Sequence, residues 1–271
     1  MTDPLILTVA PNGAYKQSAD HPAVPLTPAA LADTAKRCLD AGAAMLHLHI
    51  RDAQGRHSLD IEGYREALRV VRAAVGEAMV LQITSEAAKV YRAEQQIAMV
   101  RALRPEAVSV GLREIDQPEI GEAGLAAFLA ELVAQRTMTQ VILYDLADLQ
   151  RWQALRRAGT VPDAPWFLLF VLGRYSATQT SDPRELLPFV QAHTGTEPWA
   201  MCAFGPSENA CVAAAAALGG HARVGFENNL RLRDGRLAPD NAALVRQAAE
   251  VAHALGRPLA TAAQIRARFG A

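Results

Sequence analysis

The chain has 271 residues, 51% of them hydrophobic, and a net charge of −1 from 27 basic and 28 acidic side chains. That length buries a large core, and the near-neutral balance, with no long like-charge block, argues against a nucleic-acid groove or a membrane-surface patch. Three cysteines, Cys38, Cys202 and Cys211, lack metal-type spacing and leave an odd number, which fits a reducing compartment, the cytoplasm, better than a disulfide framework. No basic region precedes the first apolar run and no apolar stretch reaches the ~18 residues of a membrane span, so neither export nor insertion is signalled.

Short apolar runs rich in branched residues alternate with segments of helical periodicity. The runs predict strands at residues 5 to 10, 45 to 51, 79 to 84, 107 to 111, 140 to 145, 166 to 172, 199 to 204 and 222 to 227. The first helix shows its start and stop plainly, with Thr27 as N-cap, Pro28 in the first turn and Gly42 after the end. An Ala-rich helix around 213 to 217 reads as buried and tightly packed, and Thr261 to Phe269 reads as one extra helix after the last strand. A (β/α)8 barrel needs roughly 250 residues, and no Gly-rich dinucleotide fingerprint follows the first strand. The chain is therefore expected to be α/β, a single TIM-barrel domain over 1–271 with an additional C-terminal helix.

In such a barrel the active site forms where the strands end and the loops begin. Residues two apart on a strand share a face, so Met45-Leu46-His47-Leu48-His49-Ile50-Arg51 puts His47, His49 and Arg51 on one side. Inside a barrel an unpaired imidazole is costly, and two side by side make half a metal site. Glu227 is the expected third ligand, because it ends an apolar strand on the face it shares with Arg223, and His-His-Glu is a catalytic zinc set that leaves a fourth position open. Gln82, Thr84, Ser85 and Ser109 add polar groups from the third and fourth strands, and Asp145 from the fifth. His21, His57, His193, His221 and His253 are expected at the surface. Gly205-Pro206-Ser207 reads as a turn and N-cap with room for a phosphate. None of the lysines, Lys16, Lys36 and Lys89, falls in a predicted strand, which argues against a Schiff-base aldolase.

The stretches Leu5-Ile6-Leu7-Thr8, Asn12-Gly13-Ala14, Pro25-Leu26-Thr27-Pro28, His47-Leu48-His49-Ile50-Arg51, Gly219 to Glu227 and Gly256 to Thr261 run nearly end to end. In them the chain resembles the β-keto acid cleavage enzymes, zinc-dependent (β/α)8 proteins. The resemblance implies that a β-keto acid and acetyl-CoA react by Claisen-type addition, thioester transfer and retro-Claisen release to give acetoacetate and a new acyl-CoA. It implies Zn2+ on His47, His49 and Glu227, a substrate-binding Arg223 that neutralises a carboxylate as a bidentate pair, strand-end hydroxyls at Thr84 and Ser109, and a homotetramer. The attacking carbon is expected from the acetyl group, giving a tertiary alkoxide.

Departures from the family pattern cluster at the pocket. The family often has an aspartate after its glutamate ligand as a candidate base, whereas this chain has Asn228, an amide that takes no proton at neutral pH. Tyr15 replaces a glutamate, Ser85-Glu86-Ala87 replaces a Thr-Gly-Gly turn, and Gln140 and Ile142 stand where the fifth strand carries acids. Asn12, Tyr15, Ser85 and Asp145 are accordingly assigned to substrate binding, with Asn228 beside the catalytic Arg223, Thr84 and Ser109. An uncharged or anionic keto acid is expected in place of a cationic one. Two other readings share the His-x-His strand: a metal-dependent hydrolase, which would add histidines from strands five and six, and a non-catalytic metabolite-binding barrel.

Overall fold

In the computed structural model, which describes residues 3–270, eight parallel strands close into a barrel in chain order. They are β1 (Leu7–Val9), β2 (Met45–Leu48), β3 (Val80–Thr84), β4 (Ala107–Gly111), β5 (Met138–Leu143), β6 (Phe167–Leu172), β7 (Trp199–Ala203) and β8 (His221–Val224). The helices are α1 (Pro28–Asp40), α2 (Ile61–Val75), α3 (Ala93–Leu103), α4 (Leu112–Ile115), α5 (Gly121–Ala134), α6 (Leu146–Ala158), α7 (Leu186–Ala192), α8 (Glu208–Ala217), α9 (Asn241–Ala254) and α10 (Ala262–Phe269). The expected (β/α)8 barrel with one extra C-terminal helix is the fold observed. Thr27 caps α1 by accepting from Ala30 N, and Val212, Ala215 and Ala216 bury the inner face of α8.

Alternation along the strands sorts the side chains into two cores. Leu46, Leu81, Val108, Val141, Leu168 and Phe170 face outward and pack against the helices. Ile6, Met45, Val80, Ala107, Met138 and Phe167 face inward and fill the lower barrel. The next inward level up is polar: the register pairs Thr8 with Arg223, His47 with Gln82 and Ser109 with Gln140. Below, α10 closes the barrel floor, with Phe269 against the Phe167 ring and Arg266 Nε donating to Glu106 at 2.6 Å. That leaves the upper, C-terminal rim open for chemistry.

The second and eighth strands end three residues earlier than their apolar pattern predicts. The second does not run to Arg51: β2 stops at Leu48, and Ile50–Arg51 turns away to pair antiparallel with His57–Ser58. Asn12 takes over from the ladder at the break, accepting from His49 N at 3.2 Å and donating to His49 O at 2.9 Å. The eighth ends at Val224 and not at 227, because Gly225 adopts φ 136 and the chain folds into a turn. Ala10 O accepts from Glu227 N there at 3.1 Å, and Asn241 Oδ1 accepts from Phe226 N at 2.8 Å.

A Cβ at Gly225 would lie 2.4 Å from Ala10 O, a backbone atom that cannot swing aside. Gly225→Ala is thus expected to destabilise by about 2 kcal/mol or more from the φ alone and to displace Glu227. Thermal unfolding together with Zn2+ affinity checks this, and an unchanged midpoint would refute it.

Three histidines assigned to the surface are buried: His21, His57 and His221. His221 Nδ1 accepts from Ile6 N at 3.0 Å, and His21 packs against the Phe226 ring. Each finds its partner far along the chain, beyond the reach of local pattern. His253 is exposed, as expected, whereas His193 is half-buried.

Candidate metal centre and substrate pocket

The rim of β2 and the turn after β8 bring three ligand atoms together. His47 Nε2 lies 3.1 Å from His49 Nε2, and Glu227 Oε2 lies 3.5 Å and 3.3 Å from the two. His47 Nδ1 is 2.9 Å from Gln82 Oε1; an amide oxygen only accepts, so Nδ1 carries the proton and Nε2 offers its lone pair. Glu227 Oε2 is buried with no hydrogen-bond partner. Burial, reinforced by the charge on Arg223, pushes His47 down to about 3. Burial alone would raise the Glu227 carboxyl, but the Arg223 guanidinium beside it holds it well below the carboxylate range. Two imidazoles and one carboxylate, with ligand atoms all within 4.8 Å of one another, form a donor set that could hold a metal ion with an open position. The residues fit a metal.

Arg223, on β8 one level below the rim, is 3% exposed. Its Nη2 donates to Glu227 Oε1 at 3.1 Å and to Cys202 Sγ at 3.4 Å. Its Nε and Nη1 are buried and unpartnered, a poor arrangement for a structural arginine and a ready one for an incoming anion.

These groups form the floor of a pocket of about 630 Å³. Thr84 lines it, its hydroxyl accepting from Glu86 N at 3.0 Å. Asn228 lines it too, 5% exposed with both amide atoms unpartnered. Tyr15 stands half-exposed on the wall. The other sequence-assigned residues lie off the pocket. The Ser109 hydroxyl is buried and unpartnered below it, Ser85 Oγ donates to Ser109 O at 2.9 Å, and Asn12 holds the backbone of His49. Asp145 is the N-cap of α6, accepting from Asp148 N at 3.0 Å and from Arg113 Nη2 at 2.6 Å. Gly205 and Pro206 reach the wall. Glu208, in the first turn of α8, brings a carboxyl to the helix start where a phosphate was expected, accepting from Gly225 N at 3.2 Å and from Asn229 Nδ2 at 3.1 Å.

Sequence reasoning missed the charged wall. Arg174, just past β6, stacks over the rings of Tyr15 and Phe204 at 5.2 and 5.1 Å. It makes a long ion pair of 3.8 Å with Glu86, whose other oxygen is 3.9 Å from His49 Nε2. Burial raises the carboxyls of both Glu86 and Glu114 above the usual range. The signal was present: both Glu86 and Arg174 follow a barrel strand by two residues.

Comparison with known proteins agrees with this architecture. A 3-oxoadipate:acetyl-CoA acetyltransferase of Cupriavidus necator is 30% identical over 279 residues, covering 100% of this chain and 96% of the relative. A 3-keto-5-aminohexanoate cleavage enzyme of Fusobacterium nucleatum is 27% identical over 266 residues, covering 96% of each. Among solved structures, the ternary complex of ObcA with a C4-CoA adduct and oxalate superposes with a TM-score of 0.75 at 20% identity, over 92% of this chain and 68% of that one, a likeness of fold. The family model of the beta-keto acid cleavage enzymes matches residues 4–270. The chain belongs to the β-keto acid cleavage enzyme family.

Proposed function

We propose that this protein is a zinc-dependent acyltransferase converting a β-keto acid and acetyl-CoA into acetoacetate and the acyl-CoA of the keto acid's acyl part. The observation that carries the reading is the convergence of His47, His49 and Glu227 beside a buried Arg223 with two free nitrogens. Zinc held by the three ligands supplies Lewis acidity at the keto oxygen. Arg223 takes the substrate carboxylate with its free Nη1 as one arm of a bidentate pair and Nη2 as the other. Asn228, with its amide unpartnered, donates to the same substrate end.

Atom balance reverses one expectation from the sequence. Attack by the acetyl carbon on the keto carbon would build a tertiary alkoxide from which acetoacetate cannot leave. The balanced course has C2 of the keto acid lose a proton and attack the thioester carbonyl. The CoA sulfur then moves to the keto carbon, the original C2–C3 bond breaks, and C2 regains a proton. One C–C bond forms and one breaks, with no net redox change.

The C2 proton needs a base that Asn228 cannot be. Glu86 supplies it: it lines the pocket outside the ligand set, and burial holds its carboxyl above the usual range, closer to neutral pH. Glu86→Gln is expected to lower kcat about 100-fold with Zn2+ content unchanged, and Asn228→Asp in that background to restore part of the loss. Steady-state kinetics with metal analysis checks both, and full activity in Glu86→Gln would refute the assignment.

The distal end of the keto acid meets Tyr15 and Arg174. Among the described residues Arg174 makes a single ion pair, the long one with Glu86, so an anionic tail is favoured. With 3-oxoadipate, 3-oxohexanoate and 3-keto-5-aminohexanoate as a panel, acetyl-CoA-dependent acetoacetate release is expected in that order. Arg174→Ala should cut kcat/KM for 3-oxoadipate about tenfold or more and spare 3-oxohexanoate; equal losses would refute the contact. No release across the panel would instead favour the metabolite-binding barrel.

The ends of β5 and β6 contribute Ile142, Tyr144, Val171 and Arg174 to the pocket, none a histidine, which supports a transferase over a metal-dependent hydrolase. Exposed Val90, Tyr175 and Leu237 offer apolar surface for the homotetramer, which light scattering tests. Three buried free thiols fit the cytoplasm, and among the described residues no helix is long and apolar enough to cross a membrane.

A further inference from the structure

His57 is 8% exposed, touches a metal-ligand residue and has no part in the reaction proposed above. Both its ring nitrogens are engaged. Nε2 lies 2.9 Å from the backbone carbonyl of Glu86; a carbonyl oxygen only accepts, so Nε2 carries the proton and Nδ1 presents a lone pair. That lone pair faces His49 Nδ1 at 3.4 Å. One proton fits between the two Nδ1 atoms, and it belongs to His49. A His49 ring protonated at Nδ1 has a bare Nε2, the atom 3.3 Å from Glu227 Oε2 and 3.1 Å from His47 Nε2. His47 reaches the same state by a different route, through Gln82.

We infer that His57 is a positioning residue that holds the proton of His49 on Nδ1 and so keeps His49 Nε2 open to the metal; this rests on the reading of the His47, His49 and Glu227 cluster as a metal site. The early end of β2 makes the contact. Because Ile50–Arg51 leaves the barrel and pairs with His57–Ser58, a residue eight positions along the chain is folded back onto the ring of His49. Without an acceptor there, the His49 proton is free to move to Nε2, where it competes with the metal. Partners of this kind orient a ligand ring and raise its basicity, and their loss typically lowers metal affinity about 10–100-fold.

Two substitutions separate the proton from the packing. Asn Oδ1 stands two bonds beyond Cβ, as His Nδ1 does, so His57→Asn preserves an acceptor for His49 Nδ1–H. His57→Leu fills the space with none. Zn2+ affinity is measured by chelator competition on folded protein, and the tautomer of His49 by side-chain NMR of metal-free protein labelled with nitrogen-15 histidine. The expected result is that His57→Leu weakens Zn2+ binding about 10–100-fold while His57→Asn stays within about threefold. The metal-free wild type and His57→Asn should show His49 protonated at Nδ1, and His57→Leu should gain the Nε2–H form. Wild-type Zn2+ affinity in His57→Leu, equal losses in both variants, or His49 protonated at Nε2 in the wild type would overturn the inference. An Nδ1–H on His49 in a wild type that binds no Zn2+ would overturn the metal reading and leave the proton placement supported.

Discussion

Glu227→Ala protein is expected to hold no zinc and to release acetoacetate at least about 10³-fold more slowly than the wild type. In the proposed metal site the side chain is one of three ligands, and losing the metal would remove several kcal/mol of charge stabilisation from the reacting carbonyl. A second consequence follows from its other oxygen. Glu227 Oε1 is the carboxylate partner of Arg223, a guanidinium 3% exposed. Removing one partner of a buried pair leaves a charge uncompensated, at a cost of about 3–5 kcal/mol. Metal-free Glu227→Ala should thus unfold at lower urea than metal-free wild type. Metal analysis and urea titration check the two arms separately, and a full complement of zinc in the variant would remove Glu227 from the ligand set.

Arg223→Ala should separate the same neighbourhood differently, because it leaves all three ligands in place. Zinc binding is expected to persist, while kcat/KM falls about 10³-fold as the substrate carboxylate loses a buried, charge-assisted bidentate partner. Arg223→Lys keeps the charge but not the planar fork, and should recover only part of the loss. Parallel loss of zinc and turnover in Arg223→Ala would mean that the arginine serves to shape the metal site and not to bind substrate.

The parts legible from sequence are those governed by short periods. Alternation alone put His47 and His49 on one inward face, and the same period sorted the outward core from the inward one. Glu227 was found for a reason only half right. Its pattern makes it the inward end of a strand, whereas it reaches His47 and His49 from a turn that Gly225 and Ala10 build after the strand has stopped. Asp145 shows the converse. Its local pattern placed it on a strand end, but β5 finishes at Leu143 and the side chain is taken up by a helix start and by Arg113, 32 residues away. Arg174 is hidden for the same cause, since its partners Tyr15, Glu86 and Phe204 are brought near by long-range folding, and His57 reaches His49 through a hairpin that the apolar run up to Arg51 masks. No periodicity in the chain encodes such pairings.

The most direct test of the account is to follow carbon-13 from doubly labelled acetyl-CoA through one turnover with a β-keto acid, reading the products by NMR. The account predicts acetoacetate labelled at C3 and C4 together with an unlabelled acyl-CoA, and no acetoacetate when acetyl-CoA is withheld. Consumption of the keto acid to a free acid, or acetoacetate that forms without the label, would contradict it.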